Sequence, residues 1–173
     1  MQLAKKSDTG SYYNDIGRVA KWEDYKNIKI YIENEPNLDY LYEQAFDIWN
    51  RAIPYFGFVY VNDKNEADIR CSFVQEFFDQ KVGVTKYPKG MKIVDGEMYL
   101  QAPVLIEVSK SSIDRRQVTE EEILSTIIHE VGHALGILGH SKNRNDIMFF
   151  DTTTYQGTSL SQRDINTIDE IYQ

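Results

Sequence analysis

A chain of 173 residues suits one domain that buries a core without staples, and a composition 42% hydrophobic and 13% aromatic excludes a disordered chain. A formal net charge of −8 repels phosphate backbones and anionic lipid, which removes nucleic acid and membrane surfaces from the expected partners. Cys71, the single cysteine, excludes an internal disulfide framework and a multi-cysteine metal site, and no run approaches the ~18 apolar residues of a membrane span.

Residues 1–20 are polar and aperiodic and read as a surface arm; the opening "MQLAKKSDTGSYYND" lacks the apolar core of an export signal. "NIKIYIE" then alternates, with Ile28, Ile30 and Ile32 on one side, which predicts a half-buried strand. Leu38, Leu41, Ala45, Ile48, Trp49 and Ala52 recur at helical spacing, with Asn37 as the expected cap. "FGFVYV" and "ADIRCSF" read as strands joined by the turn-forming "NDKNE", with Cys71 as a small core thiol in the second. "VGVTKYP" and "GEMYLQ" are strand candidates either side of the turn signal Asp95-Gly96; "VLIEV" admits a strand, and "SKSSIDRRQ" reads as a polar loop. Thr119 and Glu122 form a capping box that opens a helix running through Ile123, Leu124, Ile127 and Ile128 into His129. A last helix starts at Ser161, with Ile165, Ile168 and Tyr172 on one stripe. Strand, helix, strands, helix, helix describes an α/β (α+β) layer protein with a mixed twisted sheet of about five strands.

All the histidines of the chain fall within "HEVGHALGILGH", His129 to His140. Residues four apart on a helix share a face, with Cβ atoms about 5–6 Å apart, so His129 and His133 can reach one cation. Glu130 points about 100° away around the axis, within reach of a water on that cation without being a ligand. Two anchors and one base are the division of labour of a zinc hydrolase. Packing or solvation is the plainer role for a histidine, but it does not explain why none lies elsewhere in the chain.

A catalytic zinc takes three protein ligands and leaves a position for water. His140 is the expected third, yet an unbroken helix would carry it about 10 Å beyond His133. Gly136 and Gly139 are the two places where the backbone can turn back cheaply. Asp146, Asp151 and Glu170 are the rival donors. "HEVGHALGILGHS" with Met148 downstream resembles the metzincin signature HExxHxxGxxH followed by a Met-turn, with one added residue before His140. Ser141, the Met148 spacing and the closing "LSQRDINTIDEIYQ" resemble the matrixin branch. "KW" before the first strand, "AFDIWNRAI" and "EADIRCSF" are similar to its upstream landmarks, so the resemblance covers residues 21–173 as one catalytic domain.

The resemblance implies a zincin-like fold and a secreted or cell-surface zinc endopeptidase, monomeric, acting on protein or peptide substrates; the lack of an export signal leaves an intracellular (cytoplasmic) peptidase of narrow specificity as the second enzymatic reading. His129, His133 and His140 are implied as the Zn2+ ligands, Glu130 as general base and Met148 as the floor of the site. An edge strand that binds substrate is implied too, with Val84 and Thr85 of "VGVTKYP" as its candidates, and Phe149 and Phe150 as candidate lining for the pocket beyond the scissile bond. Ca2+ is admitted through acidic and Asn-rich loops, although nothing resembles an EF-hand. Phe150 stands where some relatives place a tyrosine that assists the metal, so no tyrosine switch is expected. No second His cluster supplies the structural zinc of animal matrixins. Cys71 is misplaced for a zinc-blocking role, and Arg163 replaces the first of two adjacent aspartates, Asp164 keeping the second. The alternative from another class is a catalytically silent, metal-stabilised binding module of the same fold, against which the presence of Glu130 argues.

Overall fold

The computed structural model describes residues 10–111, 118–151 and 155–173. Seven strands and three α-helices follow in the order β1 (Ile28–Ile32), α1 (Tyr40–Ala52), β2 (Phe58–Tyr60), β3 (Ile69–Val74), β4 (Gly83–Lys86), β5 (Met91–Val94), β6 (Glu97–Leu100), β7 (Val104–Ser109), α2 (Glu120–Ala134) and α3 (Gln162–Tyr172). Five strands form a mixed sheet in the order β2-β1-β3-β7-β4, parallel except for β4, which runs antiparallel to β7 at one end. The expected mixed sheet of this size is therefore present, with a separate β5-β6 hairpin beside it.

Alternation makes one face of the sheet apolar. Ile28 and Ile30 of β1, Ile69 and Cys71 of β3, and Val104, Ile106 and Val108 of β7 are all buried. They share one core with Phe46 and Trp49 of α1 and with Ile127 and Ile128 of α2. The Trp49 indole also donates to the Ile128 carbonyl at 2.9 Å, so the helix pair is held by a directed bond as well as by burial. Burial pushes the Cys71 thiol well above its ordinary value, as suits an inert core residue.

Several local expectations shift. The cap of α1 is Asp39, whose side chain accepts from Tyr40 N, and not Asn37. Leu38 N and Asp39 N both bond the Glu35 carbonyl, and this turn puts Asn37 at φ 72°, two residues before the cap. The partner of "GEMYLQ" across Asp95-Gly96 is "MKIV", not "VGVTKYP"; Asp95 at φ 52° and Gly96 at φ 84° make the tight turn. "VLIEV" is a strand and pairs with both β3 and β4. Of the loop "SKSSIDRRQ", residues 112–117 lie outside the described residues.

The arm is the larger departure. Tyr12, Ile16 and Ala20 are buried, Ala20 N bonds the Gly136 carbonyl, and Tyr12 donates to Asp164 of α3 at 2.6 Å. These inward side chains recur every four residues, but only three of them stand among mainly polar residues and Gly17, and the segment forms turns and no helix, so the sequence presents as polar a segment that contributes to the core.

Candidate metal centre

α2 begins as expected. The Thr119 side chain accepts from Glu122 N, the Glu122 carboxylate accepts from Thr119 N, and Glu120, Glu121 and Glu122 occupy the first turn, where the helix dipole favours acids. The helix then carries His129, Glu130 and His133 into the interior, where all three are buried.

The chain reverses directly after α2. Gly136 N bonds the His133 carbonyl and Ile137 N bonds the Gly132 carbonyl, both at 3.1 Å, which is the paired closure of a Schellman motif with Gly136 at φ +119°. A Cβ on Gly136 would lie 1.8 Å from the Ala20 carbonyl oxygen, so the position excludes a side chain for steric reasons as well as for its φ. Gly139 does a different job: a Cβ there would lie 2.4 Å from the Ile16 carbonyl oxygen, so its smallness lets the arm pass close over the turn. Gly136→Ala is expected to lower the free energy of unfolding by at least about 2 kcal/mol, read as a shift in urea midpoint. An unchanged midpoint would remove the turn from the account.

The reversal brings His140 back. His133 Nε2 lies 3.1 Å from His129 Nε2 and 3.1 Å from His140 Nε2, and all three ring nitrogens fall within 4.8 Å of one another. His129 Nδ1 donates to the Ile147 carbonyl at 2.7 Å, and His133 Nδ1 to the Ile137 carbonyl at 2.6 Å. A carbonyl only accepts, so each Nδ1 carries the ring proton and each Nε2 presents a lone pair. Two lone pairs facing each other at 3.1 Å repel unless a cation lies between them. For a tetrahedral ion with Zn–N distances of about 2.0–2.1 Å, the expected N···N separation is about 3.3 Å; the two pairs that His133 makes, at 3.1 Å, approach that spacing, and three imidazole nitrogens are a donor set that suits zinc.

Burial keeps the imidazoles neutral. It holds His133 down at about 4 and His129 well below its ordinary value, while His140, whose outer edge is exposed, is held at about 4 by partial desolvation of its ring and by His133. Burial acts on Glu130 in the opposite direction, raising it to about 7 against the pull of a hydrogen bond from Thr85.

Met148 is fully buried beneath α2. A Cβ on Gly132 would sit 2.3 Å from its sulfur, so that glycine makes room for the methionine between the two helical histidines. Its segment is fixed from both sides. Ser141 N bonds the Met148 carbonyl, while Asp164 accepts from Ile147 N at 2.9 Å and from Ser161 N at 2.8 Å. Asp146 accepts from Ser141, Ser161 and the Arg163 Nε, so it is engaged away from the histidines. Glu170 accepts from Ser11, and the His129, His133, His140 group is the candidate metal cluster among the described residues; Asp146, Asp151 and Glu170 do not enter it.

The remaining candidates separate. Phe149 is buried, Phe150 is 62% exposed, and their rings sit 4.5 Å apart. Val84 lies on β4 opposite Glu107, half-buried. Thr85 turns its hydroxyl onto Glu130, 2.7 Å from Oε2, and not away from the helix. The sequence analysis missed the carbonyls of Ile137 and Ile147, Tyr12, and Tyr87, whose hydroxyl donates to the His133 carbonyl at 2.9 Å. The alternation of Gly83, Thr85 and Tyr87 along "VGVTKYP" was the available signal for the last of these.

A helix bearing two candidate ring ligands, a glycine reversal returning a third, and a methionine turn beneath them, all beside a mixed sheet, define a zincin-like domain of the metzincin type. The chain belongs to the matrixin family, whose model matches residues 21–173. It is 31% identical over 141 residues to a protein of Trichoplusia ni ascovirus 2c described as "Putative matrix metalloproteinase", an overlap of 74% of this chain. This chain spans only 27% of that relative's length. In fold it is similar to archaemetzincin from Methanopyrus kandleri, with a TM-score of 0.54 at 12% identity, covering 87% of this chain and 97% of that one. Myroilysin is similar with a TM-score of 0.50 at 15% identity, covering 90% and 98% respectively. No helix among the described residues is long and apolar enough to cross a membrane.

Proposed function

We propose that this matrixin-family domain is a zinc-dependent endopeptidase in which His129, His133 and His140 hold the metal and Glu130 is the general base. The observation that carries the reading is the convergence of three ring nitrogens, those of His129 and His133 with lone pairs facing each other, and a buried carboxylate on the adjoining helical position. Zinc in this cradle supplies a Lewis acid for the scissile carbonyl and a water of lowered pKa. Glu130 takes the proton from the attacking water and returns it to the leaving amine. The Ile137 and Ile147 carbonyls keep the His133 and His129 rings in the tautomer that presents Nε2. β4 stands last in the sheet order, which supports an extended peptide adding along its free edge. Met148 packs under the ligands and carries no chemistry. The expected place of action is outside the cell or at its surface, on protein substrates.

The test is to load the full chain with zinc, measure metal per chain, and screen a broad peptide library with and without chelator. Cleavage that chelator abolishes and added zinc restores is the expected result. Zinc held without cleavage of any peptide would favour the binding module instead.

A further inference from the structure

Burial strips the Glu130 carboxylate of its water shell, so its direction must be set by protein atoms. Among the described residues the hydrogen-bond donor to it is one side chain, Thr85 of β4. The Thr85 hydroxyl oxygen lies 2.7 Å from Glu130 Oε2 and 3.0 Å from the Glu130 backbone carbonyl. A hydroxyl has one proton, and the shorter distance to Oε2 makes the side chain the favoured acceptor, the more so when the carboxylate is ionised. Two residues along the same face, Tyr87 donates to the His133 carbonyl at 2.9 Å, one turn further along α2. Two residues the other way, Gly83 is as close: a Cβ there would lie 3.0 Å from both Cγ and Oε1 of Glu130. The edge strand thus grips α2 at the position of the base, with a glycine leaving space for the carboxylate and a threonine holding one of its oxygens.

We propose that Thr85 is a positioning residue for Glu130, its hydroxyl fixing the carboxylate so that the remaining lone pairs keep one direction. The inference rests on the endopeptidase reading for its effect on rate, but the position of the carboxylate is a separate observable. Without the donor, no hydrogen bond from a side chain fixes the direction of the carboxylate, and a misplacement of about 1 Å at a reacting group costs up to about a hundredfold in rate. Substrate binding along the outer edge of β4 is untouched, because Thr85 faces the helix.

The experiment uses the zinc-loaded full chain with Thr85→Val, which keeps the shape and removes the donor, and Thr85→Ser, which keeps the donor. On a peptide that the parent protein cleaves, Thr85→Val is expected to lower kcat by about 10-fold to 100-fold, with KM and zinc content unchanged. Thr85→Ser is expected to remain within about threefold of the parent. In crystals of the two variants, the Glu130 carboxylate should move in Thr85→Val and stay in Thr85→Ser. A valine variant with unchanged kcat, a loss confined to KM, a serine variant as slow as the valine one, or a carboxylate unmoved in Thr85→Val would each overturn the proposal. If the parent cleaves no peptide, the endopeptidase reading fails, and the crystallographic comparison still decides whether Thr85 sets the direction of Glu130.

Discussion

Glu130→Gln is expected to slow peptide cleavage by about 10²-fold to 10⁴-fold while the domain stays folded and retains zinc. The amide matches the carboxylate in size and still accepts from the Thr85 hydroxyl, so the grip of β4 on α2 at 2.7 Å and 3.0 Å survives the change. It cannot take a proton from water near neutral pH and hand it to an amine, and that transfer is the step the residue is assigned. Ligand positions are unaffected, since Glu130 points away from His129 and His133 around the helix. Steady-state kinetics on one peptide, with zinc content measured on the same preparations, checks both halves. A variant that cuts within about tenfold of the parent would remove Glu130 from the mechanism.

His140→Ala is expected to abolish stable zinc retention, and cleavage with it. His140 is the proposed ligand delivered by a loop, and it is exposed, so its loss costs little packing in the metal-free domain. The other two ring nitrogens, 3.1 Å apart, remain on α2 but hold an ion by two bonds where a closed site uses more. Thermal unfolding separates metal binding from catalysis. Zinc at about a hundredfold excess over its Kd stabilises the parent by about 2.7 kcal/mol, a rise of about 5–10 °C in Tm for a domain of this size. The variant is expected to show no such rise while melting near the parent in chelator. A variant that keeps the zinc-dependent rise would return the third ligand to Asp146, Asp151 or Glu170.

The added residue before His140 shows how a departure in spacing is absorbed. Counting residues predicts a longer excursion after Gly136, but the ring nitrogen still reaches 3.1 Å from that of His133. The excursion starts from a reversal closed by two backbone bonds, and the same turn brings the Ile137 carbonyl onto His133. Helix termination and ligand orientation therefore come from one local structure. Gly136 marks it in the sequence, but the orienting carbonyl leaves no trace there, because every residue has one.

What is local in this protein was legible without coordinates. The four-residue interval between His129 and His133, the capping box at Thr119, the helix stripe of α3 and the alternation of β1 and β3 each follow from the period of one element. The mixed sheet was legible from the order of the elements, and the matrixin family from the resemblance of "HEVGHALGILGHS" with Met148 downstream. Errors began where a neighbour in space outweighed a neighbour in sequence. The Glu35 carbonyl moved the start of α1 past Asn37, "MKIV" took the place of "VGVTKYP" across the hairpin, and Tyr12 left the surface for Asp164. Only the tertiary structure decided that Thr85 turns to Glu130, that Ile147 orients His129, and that His140 returns to the other rings. Those contacts join segments whose separation along the chain carries no period. They form because packing the core brings the segments together, and that free energy belongs to the assembled layers and not to any one stretch of residues.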